Sequence, residues 1–309
     1  MRKAFVTGAT GFIGSHLVRR LLRRRFDVHV LCRVGSSFAR LDDVRDRLTV
    51  HAVSLDDRAG LRGVMRRVAP DYILHLAAAV MHGGAAAAPA DLVRTSLLGT
   101  VNLVDACDAV DYACFINTGD AFEYGPARRP LKESRRCRPT TLDGITKLAA
   151  TLYTQQVARA RRKPLVTLRL FSVFGPLDDA RRLVPRVVAG ARAGTPLLLS
   201  QPSIPRDYLY VADVVDLYLA VMRMGACCKG DVLNAGSGRK TTLGELVDMI
   251  LALTGARSEV RWNAFPVAPH DHEIRVADMT RTWTRVAWRP RTSLQEGLAR
   301  TIRSVAERR

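Results

Sequence analysis

A chain of 309 residues with a hydrophobic fraction of 48% can bury the core of one large domain or two modest ones without disulfide or metal staples. Its longest apolar run, near Tyr72 to Met81, is too short for a membrane helix, and the basic start at Met1 to Lys3 leads into Gly8, Gly11 and Gly14 rather than an apolar leader, so neither membrane insertion nor export is expected. The net charge of +19 attracts anions of any kind. Its arginines, however, fall in helix-like runs (Arg19-Arg20 with Arg23-Arg24-Arg25, and Arg159 to Lys163) without interleaved aromatic residues, which reads as solvated helix surface and not as a nucleic-acid-binding face.

In chain order, short apolar runs alternate with amphipathic segments, the pattern of βα units around a parallel sheet. Strands are expected at Ala4–Thr7, Val28–Cys32, Leu48–Val53, Tyr72–Ala77, Ala113–Asn117 and Leu165–Phe171. Helices are expected at Ile13–Arg24, Arg58–Val68, Leu92–Ala109 and Leu142–Arg161. The fold class is therefore α/β, a doubly wound parallel sheet of Rossmann type over residues 1–175. After Gly175-Pro176 four prolines (Pro185, Pro196, Pro202, Pro205) break the rhythm, which marks 176–309 as a smaller substrate-binding lobe with some segments returning to the first domain. Its helices are expected at Val184–Ala193, Val211–Met224 and Thr242–Leu253. The low-complexity run Gly83 to Ala88 reads as a mobile loop. Six scattered cysteines show neither C-x-x-C nor zinc spacing; free thiols in a reducing cytoplasm and no metal are expected.

The first strand runs into V-T-G-A-T-G-F-I-G-S-H-L, which places Gly8, Gly11 and Gly14 where a strand turns into a helix. Side chains at these positions would keep the backbone from a pyrophosphate, which rests on the positive helix N-terminus. Arg33 follows the second strand, where an acidic residue would accept from a ribose 2′-hydroxyl and an arginine suits a 2′-phosphate. NADP(H) is therefore expected over NAD, with Ser36 and Ser37 close by as further phosphate donors.

Together with L-H-L-A-A at Leu74 to Ala78, L-G-T-V-N-L at Leu98 to Leu103, L-R-L-F-S-V-F-G-P at Leu168 to Pro176, P-R-D-Y-L-Y-V-A-D at Pro205 to Asp213 and L-N-A-G-S-G at Leu233 to Gly238, the chain resembles the extended short-chain dehydrogenase/reductase family. The resemblance is to its sugar-nucleotide epimerase/dehydratase/reductase branch and runs nearly end to end. It implies cofactor contacts from Gly8, Thr10, Gly11, Phe12, Ile13, Gly14, Arg33, Leu55, Leu76, Ala77, Ala78, Lys147 and Phe171. It implies a nucleotide-diphosphate sugar held by Ser172 and by Arg206, whose guanidinium suits phosphate oxygens, and a homodimer. Ser96 and Ser172 stand where relatives usually carry asparagine.

The chain departs most from that pattern in the residues that move protons. The family's Y-x-x-x-K reads Asp143-Gly144-Ile145-Thr146-Lys147, and its serine or threonine, four residues before a Tyr-Gly pair, falls on Asp120, with Thr118 the nearest hydroxyl and Tyr124 the tyrosine of that pair. A phenol beside an ammonium titrates toward neutrality and can carry a proton both ways, whereas an aspartate four residues before a lysine stays ionised and pairs with it. The candidate catalytic residues are thus Lys147, Asp143, Thr118, Asp120 and Tyr124. Arg33 favours an NADP(H)-dependent reductase of a nucleotide-activated keto sugar. The alternatives are an epimerase or dehydratase that retains its cofactor, and a catalytically impaired binding member of the same fold.

Overall fold

Apolar side chains on both faces of successive strands require helices on both faces of the sheet. The computed structural model describes residues 1–79, 88–265 and 274–306. Its first half runs β1 (Lys3–Thr7), α1 (Phe12–Arg23), β2 (Asp27–Cys32), β3 (Thr49–Ala52), α2 (Arg58–Val68) and β4 (Tyr72–His75). α3 (Pro89–Leu92) then passes through a π turn at Val93–Leu98 into α4 (Gly99–Ala106), followed by β5 (Cys114–Asp120), α5 (Leu142–Ala160) and β6 (Leu165–Leu170). The second half adds β7 (Ser172–Phe174), α6 (Leu183–Ala193), β8 (Leu197–Leu198), β9 (Pro205–Arg206), β10 (Tyr208–Tyr210) and α7 (Val211–Met222). It closes with β11 (Asp231–Ala235), β12 (Thr241–Thr242), α8 (Leu243–Thr254), β13 (Val260–Arg261), α9 (Thr280–Arg285) and α10 (Leu294–Ala306).

Seven strands pair in the order β11-β6-β5-β4-β1-β2-β3, all parallel, which is the Rossmann-like sheet with one strand added at its edge. Side-chain alternation divides the core. Ala4, Val6, Leu74, Ile116, Val166 and Leu168 face α1, α7 and the second lobe, while Phe5, Ile73, Phe115 and Leu165 face α2, α4 and α5. β11 and α7 are the returning segments; the small lobe is built on α6, α8 and α10.

The second half adds short strands and the helices α9 and α10, which the sequence reading did not place, and three of the other elements also differ from expectation. β5 runs three residues beyond Asn117, because Thr118, Gly119 and Asp120 continue the ladder against Leu168, Arg169 and Leu170 of β6. β11 escapes the periodicity because Asn234 interrupts its apolar run; that side chain is buried, accepting from the Tyr124 hydroxyl and donating to the carbonyls of Leu131 and Asp278. The expected helix over 92–109 is divided by the π turn. The low-complexity run lies, apart from Ala88, outside the described residues.

The six cysteines are thiols, and the closest approach recorded between two of them is 3.8 Å, from Cys114 Sγ to Cys228 Sγ, far beyond a disulfide bond. Among the described residues no helix is long and apolar enough to cross a membrane, and no cluster of His, Cys, Asp or Glu could hold a metal ion.

A buried ion pair ties β6 to the turn after β5. Arg169 Nε donates to Glu123 Oε2 at 2.7 Å, with side chains only 4% and 0% exposed, and its guanidinium lies 4.4 Å from the Tyr124 ring centroid. Removing one partner of such a pair strands the other charge away from water. Glu123→Ala is expected to lower the stability by about 3 to 5 kcal/mol, measured by chemical denaturation; a loss below about 1 kcal/mol would show that water reaches Arg169.

Candidate active site

In a parallel sheet all carboxyl ends lie along one edge, and ligands of open α/β sheets bind there. The Gly8–Gly14 turn follows β1, Arg33 follows β2, Leu55 follows β3, Leu76, Ala77 and Ala78 follow β4, Asp120 ends β5, and Phe171 follows β6. One edge therefore gathers residues from Gly8 to Phe171.

The turn after β1 is shaped for close approach. Gly8 takes φ +67°, and a Cβ there would meet the Leu76 carbonyl carbon and the Ala77 nitrogen at 2.6 Å; a Cβ on Gly14 would meet the Gly8 carbonyl oxygen at 2.1 Å. Gly11 caps α1 without a side-chain hydrogen bond, so the amides of the first turn point outward with nothing before them from this cap. Such a cradle fits the pyrophosphate of a dinucleotide. Thr10, Phe12 and Ile13 are half-buried around it, and Arg33 stands exposed beyond β2. Leu55 would lie 3.0 Å from a Cβ on Gly99 and accepts from Asn102 Nδ2 through its carbonyl, which links the end of β3 to α4.

Behind the turn runs a buried hydrogen-bonded chain. Thr100 Oγ1 donates to Ser96 O (2.8 Å), so it accepts from His75 Nε2 (2.9 Å), and His75 Nδ1 accepts in turn from Thr7 Oγ1 (2.7 Å). Thr7 Oγ1 also receives the Ala77 amide at 3.2 Å. Burial, assisted by the charge of Lys147, pushes the His75 pKa down to about 3, so the ring is neutral. Ser96, placed inward by the π turn, donates to Ala79 O at 3.3 Å.

Lys147 reaches across from α5 and donates its ammonium to Thr118 O at 2.8 Å. Desolvation lowers its pKa, opposed by the charges of Asp120, then Asp143 and Glu123. Asp143 stands in the first turn of α5, where a negative charge complements the helix N-terminus; Thr141 caps that turn by accepting from Gly144 N at 3.1 Å. Gly144 is tight for a separate reason: a Cβ there would lie 2.6 Å from Phe122 O, so the start of α5 is docked on the turn after β5. Asp120 caps that turn, accepting from Phe122 N at 2.8 Å while Glu123 Oε1 accepts from Asp120 N at 2.9 Å. Burial raises the Asp120 pKa, against the Phe122 amide and the charges of Lys147, Arg275 and Arg182.

The other two candidate hydroxyls are spent elsewhere. Thr118 Oγ1 lies 2.6 Å from the Tyr218 hydroxyl of α7, and the Tyr124 hydroxyl donates to Asn234 Oδ1 at 2.6 Å, with burial raising its pKa. Thr118 serves Lys147 through its carbonyl, and Tyr124 is core.

The second lobe faces the same edge. Phe171 N donates to Ala235 O and Ser172 N to Asp207 O, both near 3 Å (3.1 and 2.9 Å). Arg206 sits half-buried on β9 beside Thr241 and in register with Arg275. Asp207 is committed to the L-N-A-G-S-G segment, accepting from Ser237 N and Oγ and from Gly238 N, and also from Ala277 N. Tyr208 entered the sequence reading only as part of P-R-D-Y-L-Y-V-A-D, with no role of its own. Its hydroxyl is buried and, among the described residues, has no hydrogen-bond partner; burial pushes its pKa up to about 12, against Arg206 and Arg275. Arg182 and Arg275 were missed as well, since nothing in an arginine-rich sequence separates the two arginines whose charges act on Asp120 from the rest. Arg275 lies 4.3 Å over the Phe122 ring, beside Asp120.

A Rossmann-like sheet with this glycine cradle and a lysine of α5 fixed at its edge defines an extended short-chain dehydrogenase/reductase. The model of the NAD-dependent epimerase/dehydratase family matches residues 4–236, and the chain belongs to that family of enzymes. It is 28% identical to the UDP-glucose 4-epimerase of Mycolicibacterium smegmatis, with 97% of each chain covered, and 25% identical to the dTDP-glucose 4,6-dehydratase of Neisseria meningitidis, with 98% of this chain and 92% of that one covered. Among solved structures, the UDP-glucose 4-epimerase of Thermotoga maritima with UDP-glucose superposes with a TM-score of 0.91 at 26% identity over 99% of both chains. That of Thermus thermophilus in complex with NAD gives 0.87 at 26% identity over 98% of this chain and 99% of that one.

His75 gives a pH signature. An unfolded histidine titrates near 6.5, so between about pH 6.5 and 3 the unfolded chain binds a proton that the folded chain refuses, and stability falls as the pH falls through that window. The urea midpoint of the parent protein is expected to drop below about pH 6.5 more steeply than that of His75→Gln. Parallel profiles would show that His75 protonates in place.

Proposed function

We propose that the chain holds a dinucleotide at the β1–α1 turn and a nucleotide-diphosphate sugar between the sheet edge and the second lobe, and acts as a nucleotide-sugar epimerase or dehydratase that keeps its cofactor. The observation that carries this reading is the convergence of the Gly8–Gly14 cradle, the Lys147 ammonium on Thr118 O and the Asp120 carboxyl along one strand edge. A dinucleotide there supplies a place for hydride to leave to and return from. Lys147 contributes a fixed positive charge, and Arg206 a fork for phosphate oxygens. The relatives reported above bear the names of epimerases and dehydratases, and they support this reading over the keto-sugar reductase to which Arg33 points.

The cofactor is open to two forms. Arg33, exposed after β2, supports NADP(H); a structural neighbour solved with NAD supports the unphosphorylated form. We infer a homodimer as well: Val93 and Leu98 on the π turn and Ile145 and Leu152 on α5 are apolar and between 36% and 55% exposed, on segments packed side by side, a face suited to a second copy. The free thiols suit a reducing compartment such as the cytoplasm.

The purified protein is expected to release NAD or NADP on denaturation, distinguishable by mass, and to convert UDP-glucose or dTDP-glucose to an epimer or a 4-keto-6-deoxy sugar without added reductant. Arg206→Ala should weaken UDP binding by about 1.5 to 3 kcal/mol in calorimetry. Binding of these ligands with no conversion would mark an impaired binding member, and turnover only with stoichiometric reduced cofactor would restore the reductase. The dimer is checked by sedimentation, in which Leu152→Glu should run as a monomer; a monomeric parent protein would dispose of the pairing.

A further inference from the structure

We propose that Asp120, at the carboxyl end of β5, is the group that takes up and returns the proton of the reacting sugar hydroxyl. The inference rests on the epimerase or dehydratase reading and supplies the acid/base that the missing phenol leaves unassigned.

Position comes first. Asp120 closes the strand beside Lys147, and strand alternation puts its side chain on the face of Thr118, which meets α7, so it lies toward the second lobe from which Arg182 and Arg275 act on it. Its geometry is fixed from behind. The Asp120 amide donates to Glu123 Oε1, and Glu123 is pinned by the buried Arg169. Oδ1 accepts from Phe122 N; among the described residues Oδ2 has no hydrogen bond, so one carboxyl oxygen is held and the other is presented.

The charges around it are Lys147 on α5, Arg182 at the start of α6, Arg275 beyond β13, and Glu123 on its own turn, with Asp143 bearing on it through Lys147 and Arg169 through Glu123. The three cations favour the carboxylate, but burial outweighs them and raises the carboxyl above its ordinary range. A group that must both accept and donate needs access to both protonation states near the working pH. Asp143 is the competing carboxyl; it stands in the first turn of α5, where the helix N-terminus complements a negative charge, and not at the end of a strand.

On oxidation the carbinol O–H bond breaks and its proton passes to Oδ2 of Asp120. The C–O bond becomes a carbonyl, and the hydrogen on the carbinol carbon leaves with its electron pair to the oxidised dinucleotide. In an epimerase the hydrogen and its electron pair would return to the opposite face of the same carbon while Oδ2 gives the proton back to the oxygen. In a dehydratase the carbonyl would stay, a hydroxyl would leave with that proton as water, and the hydrogen would return to the carbon the hydroxyl left, so neither route consumes a further reagent.

Two measurements test this. In ligand-free protein carrying carbon-13-labelled aspartate, the carboxyl resonance lost in Asp120→Asn should titrate above the ordinary aspartate value of about 3.9; a midpoint at or below it overturns the proposal. In dinucleotide-loaded protein mixed with UDP-glucose or dTDP-glucose, reduction of the dinucleotide followed by absorbance should slow by about 100-fold or more in Asp120→Asn, with dinucleotide affinity unchanged, and partly return in Asp120→Glu. Asp143→Asn should lose less than Asp120→Asn, and the reverse order overturns the proposal. A parent protein that binds no dinucleotide, or reacts with neither sugar, defeats the epimerase or dehydratase reading itself. A reaction that Asp120→Asn leaves at the parent rate defeats this inference alone.

Discussion

Seven strands running the same way leave one edge on which every carboxyl end is exposed, and the rest of the molecule is arranged around that edge. It explains why residues as far apart as Gly8 and Phe171 come together, and why the second lobe has to close on the sheet from that side. It also explains why the chain returns after residue 176 to add β11. Without that strand β6 would be an unpaired edge, and the backbone amide of Phe171 would have no Ala235 carbonyl to meet.

Within this frame, Lys147 sets the electrostatics. An ammonium removed from water asks for compensation, which comes from a backbone carbonyl and from three carboxylates of graded closeness. The arrangement differs from a tyrosine–lysine pair in sign. There the cation tunes a neutral phenol downward; here it favours the carboxylate form of Asp120, and burial of that carboxyl works against it. His75 belongs to the same balance, since a charged ring behind the turn would add a second cation where Lys147 already stands.

The sheet was legible in the sequence because its strands are short apolar runs separated by amphipathic helices, and the cradle because glycines at that spacing have little other use between a strand and a helix. Less legible was whatever depends on pairing between distant segments. The extra three residues of β5 follow from the ladder with β6, not from their own pattern, since Thr118-Gly119-Asp120 has no apolar residue. The polar Asn234 hides a core strand because its hydrogen bonds come from Tyr124, Leu131 and Asp278, none of them nearby in sequence. Helix α10 is different: Leu294, Leu298, Ile302 and Val305 recur at helical spacing, so its signal was present and passed over. Arg182 and Arg275 could not have been picked from 48 basic residues, because which of them bring their charge to Asp120 is a property of the fold alone.

The π turn at Val93–Leu98 works as a phase shifter between α3 and α4. One additional residue in a helical turn rotates everything after it by about 100° relative to an uninterrupted α-helix. In the phase observed, Ser96 is inside against Ala79, Gly99 is flush with Leu55, Thr100 meets His75 and Leu98 looks out. Taking one residue out of the turn would let a regular helix run through, swinging Thr100 away from the imidazole and carrying Leu98 toward the interior. A homologue lacking that residue would have to rebuild the wall behind the cradle, while the strands it covers could stay as they are.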